Sequence, residues 1–203
     1  MSLSIAGDAA LQVSRKAIDI FKSPVKTAMD FEAQMAKVGA VSRATNSDMG
    51  RLTQTARKLG ATTTFSASQA AQGMEFLGMA GFNTGEIIKT MPGLLNLAKA
   101  GTLGLGRASD IASDIMSGFG LKAEDMGRIS DVLTATFTRS NTTLGMLGET
   151  MKFVAPVAKT AGLSIEETSA FAGILANSGI KASQAGTTLR AMLLRLGAPG
   201  NKA

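Results

Sequence analysis

Asp110 and Asp114 stand four residues apart in a stretch of helical periodicity, so a helix there presents two carboxylates on one face. That pairing is what a hard cation or an acid/base reaction between two carboxyl groups requires. Glu124-Asp125 and Glu166-Glu167 are two further acidic pairs. All six residues also have a plain structural reading, because carboxylates near a helix N-terminus are stabilised by the helix dipole. Spacing supplies neither extra oxygen ligands nor a shifted pKa, so the structural reading takes precedence and a hydrolase built on Asp110 and Asp114 ranks last. The run Gly104-Leu-Gly106-Arg-Ala-Ser109 has the look of a phosphate-cradling loop. It lacks a preceding strand, a third glycine and a Lys-Ser/Thr ending, and reads as a glycine-rich connection between helices. Asn141-Thr142-Thr143 is formally a glycosylation acceptor, yet its threonines are better placed to start the following helix.

The residue types that are absent exclude more. Among 203 residues there is no Cys, His, Trp or Tyr. This removes disulfides, Cys/His zinc sites, Ser-His-Asp and Cys-His nucleophiles and any histidine base. No catalytic, cofactor-binding or metal-binding residue is assigned, and no cofactor is expected. The net charge is +6, with nine Lys/Arg against five Asp/Glu in residues 1 to 60 and no run of five like charges. A stacking groove needs aromatics gathered near the basic residues, and the Phe are only scattered, so no specific nucleic-acid binding is expected. Thr168 to Ile180 is free of charge for 13 residues but carries Ser, Asn and Gly, too short and polar to span a bilayer. Met1 to Ala10 has Asp8 and no basic region ahead of an apolar core, unlike a signal peptide. The expectation is a soluble chain made in a cytoplasm. Its two ends look cut, which suggests a piece of something longer.

The elements that would position these residues are helices. A composition that is 45% hydrophobic, rich in Ala, Leu and Met and poor in aromatics, favours helix, and no stretch alternates with period two. A first helix is expected over Asp8 to Phe21, with Ser23-Pro24 restarting the chain. A second carries Ala28, Phe31, Met35 and Val38 as one apolar stripe, with Lys26, Asp30 and Lys37 opposite. Ser47 is expected to cap a helix through Leu59, ended by Gly60, and Ala61 to Phe65 to form an extended connector. Pro92 should interrupt Gly85 to Ala100. A helix follows near Arg107 to Ser117, and another starts at Thr143 that Pro156 should kink or end. In the last helix Ala182, Ala185, Leu189, Met192/Leu193 and Leu196 share a face, with Lys181, Arg190 and Arg195 turned away.

One pattern recurs. Phe65-Ser66-x-x-Gln69, Leu121-Lys122-x-x-Asp125 and Leu163-Ser164-x-x-Glu167 each place an apolar residue before a helix start and a Leu twelve residues further on. The first and third are capping boxes. Divergent helical hairpins follow from this, with spacing too irregular for a solenoid. The fold class expected is all-α, an irregular bundle of about nine or ten short helices. Residues 1–24 form an N-terminal helix or arm, 25–197 the helical core domain and 198–203 a tail.

Phe31 to Ala40, Leu52 to Gly60, Thr64 to Ala71, Gly73 to Phe82 and Met91 to Ala98 together resemble the core domain of the phage tail tape-measure family. The resemblance continues through Ala108 to Met116, Phe153 to Ala158, Leu163 to Thr168 and Gly186 to Arg190. It implies a long helical protein threaded along the lumen of a growing tail, whose length sets the number of tube rings and which is expelled at infection. Tail-tube and tail-tip proteins and tail assembly chaperones are the implied partners, with a homo-oligomer in the lumen and the virion tail as location. Membrane contact is implied for the full-length protein only. The family shares no catalytic residue in this domain. The alternative is a membrane-active module acting through Leu189/Leu193 flanked by Arg190 and Arg195.

Overall fold

Phe31, Met35 and Val38 recur at helical spacing and are buried, as the apolar stripe requires, whereas Ala28 one turn earlier is exposed. They belong to the first helix of the computed structural model, which describes residues 25–197. That helix, α1, covers 25–42. It is followed by α2 (Asn46–Thr62), α3 (Ala67–Met79), α4 (Thr84–Ala100) and α5 (Leu105–Phe119). A 3-10 turn (Ala123–Asp125) then leads into α6 (Met126–Arg139), α7 (Leu144–Thr160), α8 (Ile165–Asn177) and α9 (Ala182–Gly197). The described residues contain no strand. The expected helix Asp8 to Phe21, the Ser23-Pro24 start and the segments 1–24 and 198–203 lie outside them.

The helices alternate between two rows. From α4 onward each helix packs most extensively on the one two places away: α3, α5, α7 and α9 form one row and α4, α6 and α8 the other. The core runs continuously between the rows, through Leu77, Met91, Ile115, Ile129 and Met151. The described residues form the all-α helical bundle expected from sequence, its helices stacked in two rows so that each touches mainly its neighbours.

The regularity comes from the turns. After α1, α3, α4, α5, α7 and α8 the chain places one residue at positive φ: Arg43, Gly81, Thr102, Gly120, Gly162 and Gly179. The N–H of the next residue reaches back to a carbonyl of the last helical turn, as Phe82 does to Leu77 and Leu163 to Ala158, closing a Schellman motif. The residue after that starts the next helix. Asn83 and Ser164 accept from the backbone N–H of Glu86 and Glu167, whose carboxylates take the cap's own N–H. A stop and a start thus share two or three residues, which fixes how each helix leaves its predecessor.

Several boundaries move from those expected. Thr45, with Asp48, caps α2 in place of Ser47. Gly60 does not end α2, which runs to Thr62 and shortens the extended connector to residues 63–66. A Cβ at position 60 would come within 2.5 Å of the Ala67 backbone nitrogen, so this glycine serves the crossing of α2 and α3. Pro92 and Pro156 sit inside unbroken helices. Both are exposed on the outer side of their helices, while buried residues on either side hold the helix. The expected face of α9 is buried only as far as Leu189, and Met192 and Leu196 are exposed.

Candidate functional site

Asp110 and Asp114 do lie on one side of α5, and both face solvent on its outer ridge. Nothing converges on them: among the described residues no group of three or more acidic side chains is placed to hold a metal. Gly104 is the N-cap of α5, and Gly106 packs under the Phe76 ring. Ser109, which would have to reach a phosphate, is buried in the core side of α5. The glycine-rich run is a helix connection. Thr143 caps α7 by accepting from the Met146 N–H, and the Asn141 N–H is bound by Asn177 Oδ1, so this segment is a helix start as well.

The other two acidic pairs have partners that spacing alone did not reveal. Arg128 of α6 holds Glu166 of α8 with two hydrogen bonds, Nε to Oε1 at 2.6 Å and Nη2 to Oε2 at 2.8 Å. Lys89 of α4 donates to Glu124 at the foot of α6, and Arg107 of α5 to Glu149 of α7. Each of these ion pairs joins neighbours within a row. Counted from the caps Asn83, Lys122 and Ser164, Lys89 and Arg128 occupy the same place in their helices, and Glu124 and Glu166 the same place in the next. The rung therefore repeats along the α4, α6, α8 row. Recurrence of a cation and a glutamate 35 and 38 residues apart was the available sequence signal.

These contacts set the electrostatics. The Arg128 hydrogen bond is the main cause that brings the Glu166 carboxyl down to about 2. Lys89 lowers Glu124 in the same way. Glu167 and Asp48 are held below their ordinary values by hydrogen bonds of their capping boxes. Lowered carboxyl groups keep their charge and do not act as acids near neutrality. Their shifts have a structural cause.

Surface hollows remain among the described residues. One of about 640 Å³ lies between the α3–α4 and α5–α6 turns, lined by Asn83, Glu86, Lys89, Lys122 and Glu124, with charges of both signs. Another, about 390 Å³, is a groove between α6 and α8 over Val132, Thr136, Ala170 and Gly173. Neither gathers a set of groups that could carry out a reaction. Leu189 of the expected membrane-binding face is in the core, and no helix among the described residues is long and apolar enough to cross a membrane.

The chain is similar to known proteins over most of its length. Residues 53–203 match the family described as phage-related minor tail protein. The chain is 45% identical over 175 residues to the tape measure protein of Pneumococcus phage Dp-1, covering 86% of this chain and 15% of that protein. It is 35% identical over 158 residues to the probable tape measure protein of Escherichia phage P2, covering 78% of this chain and 19% of that protein. The chain thus spans less than a fifth of either relative. No solved structure matches. With a helical fold, ion pairs that serve row packing and this likeness over most of its length, the chain belongs to the phage tail tape-measure family.

Proposed function

We propose that the chain is a folded part of a tape-measure protein that acts inside the phage tail through protein contacts and without turnover. The observation that carries this reading is the 45% identity to a tape measure protein across most of the chain. Its polar side chains add support, since the paired ones are engaged in caps and in rungs between neighbouring helices. In this reading the whole protein sets tail length and leaves with the genome at infection. Tail-tube and tail-tip proteins and assembly chaperones are its partners, and several copies share the lumen. In this reading residues 25–197 are the tape-measure core helical domain.

The test is made in a phage carrying the parent gene. In-frame removal of residues 25–197 should abolish tails of uniform length in electron micrographs. Asp110→Asn combined with Asp114→Asn should leave assembly and infectivity unchanged. Normal tails after the deletion, or failed assembly in the double variant, would overturn the reading.

A further inference from the structure

The two rows do not finish together. Along α7, residues Leu147, Met151, Val154 and Ala158 form an apolar stripe that is buried to its last turn. The matching stripe of α9 is buried at Ala185 and Leu189, then emerges: Met192 is 51% and Leu196 81% exposed. Periodicity places both near the side of α9 that carries the buried residues, and Leu193 between them is only partly buried against the core, so among the described residues the second half of this stripe is incompletely covered.

The other row ends in the same state. Seven residues after each cap stand Thr90 in α4, Ile129 in α6 and Phe171 in α8. Thr90 and Ile129 are fully buried, whereas Phe171 is 45% exposed. Eleven residues after each cap stand Leu94, Leu133 and Leu175; the first two are fully buried and the third only partly. At 100° per residue Phe171 lies on the flank of α8 away from Gly173 and Asn177, which face α6. In α4 that place in the row is taken by α6, and in α6 by α8. Among the described residues no helix takes it in α8.

We infer that the surface formed by Phe171 and the second half of α9 is the seat of one further helix of the same polypeptide, from the segment that follows residue 203 in the longer protein. Two observations choose this occupant. The stacking rule leaves the next place in the shorter row open among the described residues. The matched part is only 15% and 19% of the lengths of the relatives, so a longer protein has further chain to supply. The contact is apolar, since Ala170 stands where Lys89 and Arg128 supply the rungs. The incoming helix therefore presents an aliphatic or aromatic stripe and needs no carboxylate at its foot.

This inference rests on the reading of the chain as part of a longer tape-measure protein. Because the sequence has no cysteine, single-cysteine probes are unambiguous. Phe171→Cys and Leu196→Cys are compared with Asp114→Cys on the outer ridge of α5, each in the 203-residue chain and in the full-length protein, by the rate of maleimide labelling. In the 203-residue chain all three should label at similar rates. In the full-length protein the first two should slow at least tenfold while Asp114→Cys keeps its rate. Equal rates at both lengths would overturn the docking and leave the tape-measure reading intact, since that reading is decided by tail length. Protection already present in the 203-residue chain and lost on dilution would also overturn it, assigning the surface to a second copy.

Discussion

Glu166 accepts two hydrogen bonds from Arg128 and keeps its charge far into acid. Its folded pKa of about 2 lies below the ordinary 4.5, so the group contributes stability that is complete above 4.5 and lost as pH falls through 2. Stability measured by urea titration should therefore fall between pH 4.5 and 2, and Glu166→Gln should flatten that fall while lowering stability near neutrality. An unchanged pH profile in the variant would show that the pair is screened to insignificance, as exposed pairs often are. Thr102 offers a second test at this scale. It stands at φ 50° where four of the other five turns of this kind have Gly81, Gly120, Gly162 and Gly179. A β-branched residue is strained there, so Thr102→Gly should stabilise the chain by about 0.5–1 kcal/mol, read from the urea midpoint.

How closely two helices approach is decided at single positions on their facing sides. A Cβ on Gly186 of α9 would come within 2.6 Å of the Thr150 carbonyl oxygen of α7, and backbone cannot move aside as a side chain can. Gly186→Ala should cost about 1–3 kcal/mol, whereas Gly50→Ala, in α2 with nothing within 4 Å of the new methyl, should gain about 0.5–1 kcal/mol. Thermal melts of the two variants should shift in opposite directions. At this scale much was legible from sequence. The Ser66 and Ser164 capping boxes and the stripe through Phe31, Met35 and Val38 follow from local spacing, and all are present. The errors at Gly60, Pro92 and Pro156 share a cause, because each was judged by local propensity. What decides them is tertiary: the approach of Ala67 in one case, and flanking core residues with an exposed ring in the others.

The order of the rows was not legible at the level of the whole molecule. Periodicity says which face of a helix is buried and is silent on which helix buries it, and the turn after α6, at Ser140, departs from the common form. The same limit hid the partners of Glu124 and Glu166. Since neighbours carry most of the contacts, protection against hydrogen exchange should be graded, highest in α5 to α7 and lowest in the last two turns of α9. Uniform protection across α4 to α9 would instead indicate one cooperative unit. The stack also responds to tension in a particular way. Drawn by its C-terminal end, it should yield one helix at a time, because α9 leans chiefly on α7 and each rung joins a single pair of neighbours. The load then falls on a few contacts in succession, as in a zipper and unlike a sandwich sheared all at once. Such a stack should unravel in a series of small force steps when pulled from its C-terminal end, where a single large step would instead mark one cooperative unit.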